Sequence, residues 1–405
     1  MHVVGSEVCV SGSSDDELVQ RVQQAPNFVP TRKPLSPATG LDGGIVLHPV
    51  EVVHALSYAT RPRYQDDLLD MYLLWALIRY IGLFELAYEP HGVTLRLSDA
   101  GQRITGNQRR IASEEMGIGF GALLANQWFN RTGAVGLPIG IVDVDAALDD
   151  RYIFAGGSRY PVRAVGQRRP DYLLVAPDPA NRGRYRVRAL ECKGTRGPTS
   201  YAVHQLASAV EQLAGISVAG RIPSGVAVST ITSNEHVSYL AIDPGDEEEP
   251  SYEVDSATID QAESFQLTED LTEVPPVLLT NASVRASWAT LADFSGNLAA
   301  VDRWAPSVMR RRLDRRPRQR GTFDTPYGDA RGTSISVSVN GQTLTVRYAA
   351  ARTIDDQMTQ SAEAIADAQS EFAAHLGLAR SLAQGSDASL YSATPDGSIF
   401  SLALE

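Results

Sequence analysis

The stretch Arg168–Gly194, RRPDYLLVAPDPANRGRYRVRALECKG, decides the fold. Two runs rich in apolar and aromatic residues, DYLLVA and YRVRALECK, flank PDPANRG, whose Pro, Asn and Gly favour turns. The spacing predicts two strands joined by a short loop. Side chains alternate along a strand, so Tyr185, Val187, Ala189, Glu191 and Lys193 share one face. Arg186, Arg188, Leu190 and Cys192 take the other. Glu191 and Lys193 therefore project side by side from the end of an otherwise apolar face. Burying two opposite charges there is costly unless each is paired or bound to something. If the two strands pair, Asp171 lies beside Glu191. Two carboxylates at one point form an oxygen-rich set of the kind Mg²⁺ takes, with coordination places left for water and a phosphate.

Lys193 also stands out by composition. The chain has 36 basic residues, and only Lys33 and Lys193 are lysines. An ammonium is a compact point charge, and Arg does not replace it where it must meet a metal-bound water or a phosphate oxygen. Lys33 lies in a loose Arg-Lys-Pro segment, so rarity alone assigns no role; the strand around Lys193 does.

At 405 residues the chain is long enough for two or three domains, and 43% hydrophobic content is ordinary for globular material. No apolar run reaches the roughly 18 residues of a membrane span, and the N-terminus does not read as a secretion signal. Two cysteines, Cys9 and Cys192, are too few for a disulfide framework or a structural zinc site. The expected compartment is the cytoplasm. The net charge of −12 looks wrong for a partner of nucleic acid, but its distribution is uneven. Residues 243–273 hold 12 acids and no base. Residues 159–196 hold 10 bases against Asp171, Asp178 and Glu191, and residues 303–320 hold 8 arginines against Asp314. Both basic segments suit a polyanion. The second of them could instead pair with the acidic run of the same chain.

The pattern divides the chain into five parts. Residues 1–45 read as a partly ordered lead-in rich in Ser, Pro, Gly and Asp. Residues 46–107 give helical periodicity followed by a hairpin around Glu89-Pro90-His91-Gly92, and resemble a winged-helix domain. Residues 108–245 alternate helix and strand, beginning with a helix over 108–128 capped by Ser113, with Glu114 and Glu115 in its first turn. Residues 246–275 form an acidic linker or loop. Residues 276–405 form an α+β region with the Arg cluster and a hairpin at Asn340-Gly341. The fold class is α/β, with a mixed central sheet flanked by helices.

Pro170-Asp171, then Glu191-Cys192-Lys193, then the helix SYAVHQLASAVEQLAG, resembles the PD-(D/E)xK nuclease superfamily, whose core is the restriction-endonuclease-like fold. The resemblance covers about residues 110–245, and it includes the order helix, three strands, helix, strand. It implies that Asp171, Glu191 and the Cys192 carbonyl hold Mg²⁺, with Mn²⁺ as a substitute, and that Lys193 orients or deprotonates the attacking water. Glu115, with Glu114 close behind, would supply the further acid that this family often carries on the upstream helix. Gln205 would assist from the downstream helix, and His204 more weakly. The Gln-x-x-x-Tyr signature of the helicase-associated branch is absent, because Ala209 stands at the Tyr position.

The implied function is a metal-dependent DNA endonuclease in bacterial restriction or anti-phage defence, working as a homodimer or within a defence complex, with RNA left open as substrate. Arg168, Arg169, Arg310, Arg311, Arg312, Arg315 and Arg316 are the expected phosphate contacts, joined by Arg318 and Arg320. Two other readings stay open: a catalytically silent nuclease-like module for DNA binding or assembly, and a transcriptional regulator led by the N-terminal segment. The second is weakened by the few basic residues of that segment, Arg61, Arg63 and Arg79 among its helices.

Overall fold

The computed structural model describes residues 2–31, 34–60, 82–131, 136–144, 152–155, 158–161, 169–216, 223–244, 251–253, 276–305, 319–339, 341–379 and 389–404. Arg168, Arg310, Arg311, Arg312, Arg315, Arg316, Arg318 and most of the acidic segment lie outside them, as do residues 61–81 of the helical periodicity expected within 46–107.

In chain order the elements that matter here are β1 (Val8–Ser13), α1 (Asp16–Gln23), α2 (Pro49–Ala59), β2 (Phe84–Glu89), β3 (Gly92–Leu97), α3 (Gly106–Arg131), β4 (Gly140–Asp143), β5 (Tyr172–Pro177), β6 (Arg184–Thr195), α4 (Thr199–Leu213), β7 (Gly225–Thr232) and β8 (Val237–Asp243). They are followed by α5 (Pro276–Ser295), β9 (Gly321–Thr325), β10 (Gly328–Val339), β11 (Gln342–Ala351), α6 (Ala362–Ala379), β12 (Ser389–Ala393) and β13 (Ser398–Leu404).

The central sheet is mixed and runs β2-β3-β1-β8-β7-β6-β5-β4. Strand β6 sits well inside it, antiparallel to β5 (Leu190 opposite Tyr172) and parallel to β7 (Glu191 opposite Ala227). The parallel step needs a crossover, which α4 supplies. Strands β5 and β7 are buried along almost their whole length, as expected when helices cover both faces of a sheet. On one face, α4 packs Val203, Leu206 and Val210 against Ala189 and Ala227. On the other, α3 packs Phe120, Leu124 and Trp128 against Leu190, Cys192 and Val228. Arg188 is buried on that face, its guanidinium carbon 4.6 Å from the Trp128 ring and 4.4 Å from the Phe129 ring.

Residues 1–45, expected as a lead-in, instead supply the middle of the sheet. Strand β1 pairs in parallel with β8 (Ser11 opposite Ser238) and with β3 (Cys9 opposite Thr94). Asp15 caps α1 by accepting from the Leu18 amide at 2.7 Å. The part of 46–107 that is described does not form a separate winged-helix unit. Its hairpin β2–β3 continues the same sheet, and α2 lies against α3.

The second sheet, β9-β10-β11-β13-β12, is antiparallel throughout. Helix α5 is buried from Leu279 to Ser295 and lies between the two sheets, although it carries Asn281, Arg285 and Asp293. One continuous cluster joins Val142 and Leu173 of the central sheet to Leu291 and Phe294 of α5 and to Tyr348 and Phe400 of the second sheet. A short helix, Arg352–Gln357, precedes α6.

Candidate active site

The site forms where β6 emerges at its C-terminal end between α3 and α4. Helix α3 begins at Gly106, not at Ser113, so Ser113 is interior and its Oγ donates back to the Arg109 carbonyl at 2.9 Å. Interior glycine costs a helix roughly 1 kcal/mol relative to alanine, yet α3 carries Gly117, Gly119 and Gly121. Each marks a close approach. A Cβ at Gly117 would lie 2.6 Å from the Gly194 nitrogen, and one at Gly121 would lie 2.6 Å from Cys192 Sγ. Gly119 faces α2 instead, where a Cβ would meet Val52 at 3.0 Å. Gly194 completes the contact, since a Cβ there would come within 1.7 Å of the Ser113 carbonyl oxygen. Backbone thus lies on backbone directly behind the site.

Asp171 and Glu191 are brought together by the β5–β6 pairing and tied by main-chain groups. The Asp171 amide donates to Glu191 Oε2 at 3.0 Å, and the Cys192 amide donates to Asp171 Oδ2 at 3.0 Å. Lys193 Nζ donates to Glu191 Oε1. Glu191 is fully buried, while the Lys193 side chain keeps 24% of its surface open to the cleft. On α4, Gln205 donates from Nε2 to the Gly194 carbonyl at 3.2 Å and accepts from Ser229 Oγ at 2.9 Å. It braces the strand just after Lys193.

The electrostatics follow from burial. Removal from water pushes the Glu191 carboxyl up to about 8, and the negative charge of Asp171 pushes the same way. The Lys193 ammonium and the Asp171 amide oppose this and do not win. Asp171 is raised by burial too, against the pull of the Cys192 amide and Lys193, with a small further push from Asp143. The Cys192 thiol is raised well above its ordinary value, first by burial, and packs as an apolar side chain.

These groups open into a cleft of about 780 Å³ lined by Asp171, Cys192, Lys193 and Gln205, with Glu114, Arg109, Arg110 and Arg196 around them. Of the two helix acids it is Glu114, not Glu115, that lines the cleft. The helical period explains the choice: Glu114 stands three and seven residues before Gly117 and Gly121, which face β6. Glu115 stands four before Gly119, which faces α2. The glycine spacing was the signal in the sequence that separates them. Glu114 is exposed and pairs with Arg110 at 3.5 Å. His204 is exposed away from the cleft, its carbonyl accepting from Asn27. Arg169 does not line the cleft; its carbonyl accepts from Gln212 at 3.4 Å. Arg320 donates to Asp355 and to the Ser295 carbonyl, a contact internal to the C-terminal region. Asp143, on β4 next to Asp171, and the cleft residues Arg109 and Arg196 were not singled out from the sequence.

Among the described residues, no group of three or more His, Cys, Asp or Glu side chains gathers to hold a metal. The residues that could hold one are the pair Asp171 and Glu191, with the Cys192 carbonyl adjacent in the chain. Two carboxylates with a carbonyl form an oxygen set of the kind a hard divalent cation takes, although Lys193 already donates to Glu191. Among the described residues, no helix is long and apolar enough to cross a membrane. Comparison with protein-family models, with curated proteins and with solved structures gives no match to this chain in any of the three.

Proposed function

We propose that this chain is a Mg²⁺-dependent phosphodiester hydrolase acting on DNA, built on a PD-(D/E)xK arrangement. One observation carries the reading: a fully buried Glu191 touches both the Asp171 amide and the Lys193 ammonium, and Asp171 and Lys193 line a cleft that Arg109, Arg110 and Arg196 line as well. The order α3, β4, β5, β6, α4, β7 supports it. Asp171, Glu191 and the Cys192 carbonyl would hold Mg²⁺ or Mn²⁺, which when bound supplies Lewis-acid activation of water and charge neutralisation at phosphorus. Lys193, reaching from the same strand face into the cleft, holds a water or a phosphate oxygen by its ammonium. Gln205 fixes the Gly194 carbonyl and with it the direction of the Lys193 side chain. The compartment fitting this activity is the bacterial cytoplasm, and a restriction or anti-phage role, as a homodimer or in a defence complex, follows by analogy of fold alone.

The test is cleavage of plasmid DNA with Mg²⁺ or Mn²⁺, compared with Lys193→Ala. Loss of a positioned proton-transfer group is expected to slow cleavage by about 10²–10⁴-fold. Equal activity of wild type and variant would overturn the assignment. A silent binding module is the rival, favoured by the way Lys193 and the Asp171 amide between them satisfy both oxygens of Glu191 without any ion. Salt-sensitive DNA binding with no cleavage under either metal would establish that rival.

A further inference from the structure

The same cleft carries a group of cations that its carboxylates do not use. Arg109 is exposed in the first turn of α3, where the helix dipole disfavours positive charge and where no acid stands. Arg196 is fixed by donating to the Ile104 carbonyl at 3.1 Å and to the Gly101 carbonyl, both neutral acceptors. Partial burial first, and the charge of Arg109 second, hold its guanidinium below the ordinary value, so the two cations feel one another. Among the described residues no carboxylate pairs with either. Gathering like charges around a cleft opposes folding, and such local conflict marks places where function overrides stability. A polyanion relieves it.

A flat ring stands at the same mouth. Tyr201, in the first turn of α4, keeps 56% of its surface exposed and lines the cleft. Gly197 faces it with bare backbone, where a Cβ would lie 3.6 Å from the ring's Cδ1. An exposed aromatic beside guanidiniums is the combination that binds single-stranded nucleic acid: cations track phosphates and the ring stacks on a base. The size agrees. About 780 Å³ falls within the small-molecule range of about 300–1,000 Å³, room for one or two nucleotides.

We propose that Arg109, Arg196 and Tyr201 form a docking subsite that takes an unpaired DNA strand into the cleft beside Asp171, Glu191 and Lys193. This rests on reading the cleft as a phosphodiesterase site, and it adds the form of the substrate: single-stranded, frayed or gapped DNA in preference to closed duplex.

The test is fluorescence anisotropy of the full chain with a labelled oligothymidylate and with a blunt duplex of the same length, both in EDTA so that cleavage plays no part. Wild type is expected to bind the single strand more tightly, with affinity falling as salt rises. Arg109→Ala is expected to reduce the slope of log K against log salt by about 0.7, one phosphate contact on a single strand. Tyr201→Ala is expected to weaken single-strand binding at least about five-fold and leave duplex binding unchanged. Both side chains are exposed, and an unchanged melting temperature confirms that the variants fold. Equal affinity for the two probes, or variants that bind the single strand like wild type, overturns the subsite. If binding behaves as expected while neither metal supports cleavage, the subsite stands and the hydrolase reading falls. If DNA is cleaved while Arg109→Ala and Tyr201→Ala both cleave and bind like wild type, the hydrolase stands and the subsite falls.

Discussion

Glu191 accepts a hydrogen bond from the backbone amide of Asp171 at 3.0 Å, so the two carboxylates are linked through the main chain of neighbouring strands rather than by flexible side chains. Their separation is set by the sheet. Burial first, and the charge of Asp171 second, raise the Glu191 carboxyl to about 8.

A cation binding between Asp171 and Glu191 must displace the proton that Glu191 holds near neutral pH. Binding below about pH 8 therefore releases protons, and affinity for Mg²⁺ or Mn²⁺ is expected to rise with pH and level off above about 8. Titration calorimetry in buffers of different ionisation enthalpy measures the release; affinity independent of pH between 6 and 8 would contradict it. In the metal-free protein the sign is opposite. A carboxyl raised on folding stabilises most below its ordinary value, and that contribution is lost as pH rises through about 8.

Glu191→Gln separates chemistry from stability. The amide keeps an acceptor for the Asp171 N–H and cannot ionise to hold a cation, while Lys193 still reaches water. Cleavage is expected to fall by about 10²-fold or more. The melting temperature of the metal-free variant is expected to stay within a few degrees of wild type or exceed it. A large drop would show that the Glu191–Lys193 contact holds the fold together.

Gly194→Ala tests the backbone contact behind the site. Its Cβ would fall 1.7 Å from the Ser113 carbonyl oxygen, and main chain gives way less readily than a flexible side chain. A loss of about 3 kcal/mol in urea unfolding is expected. Gly321→Ala, with no atom within 4 Å of the new Cβ, serves as the control and should change stability by under about 0.5 kcal/mol. Similar effects at the two positions would refute the contact.

His54, on α2, ties the N-terminal part to the second sheet. It is fully buried, shares hydrogen bonds with Ser392 Oγ at 2.9 Å and Ser398 Oγ at 3.1 Å, and stacks between Phe294 and Phe400. Burial lowers its pKa from 6.5 to about 3. A depressed histidine stabilises fully above its ordinary value and loses that contribution as pH falls toward 3. Wild type is expected to lose about 1.4 kcal/mol per pH unit over that window relative to His54→Leu. At pH 7 the variant should be less stable by about 1–3 kcal/mol, because Ser392 and Ser398 lose a buried partner. Denaturant midpoints at pH 4 and pH 7 for both proteins measure the difference; parallel pH curves would remove His54 from the account.

The strands around the site were legible because their information is local. YRVRALECK alternates, PDPANRG turns, and the pairing of β5 with β6 then places Asp171 beside Glu191 without further knowledge. The start of α3 was misread because Ser113 has the chemistry of a cap but stands seven residues into the helix. Choosing Glu114 over Glu115 required knowing which glycines face β6. The place of β1 was not legible at all. A six-residue strand that pairs only with distant partners leaves no local pattern, and VCVSGS is too polar to look like the middle of a sheet. Arg109 and Arg196 looked like two arginines among 34, because what distinguishes them is a place in the cleft where no carboxylate among the described residues pairs with them.

The pairing of β1 with β8 has a consequence for the order in which the molecule is made. Ser14 and its hydrogen-bond acceptor Ala241 are 227 positions apart. At about 5–20 residues per second the ribosome takes about 11–45 s to cover that distance. Throughout that interval β1 can pair with Ile45–Leu47 and with β3 but has no β8 to close on. The central sheet can close only after synthesis has passed β8, and α3, β5, β6 and α4 emerge while its far half is still waiting.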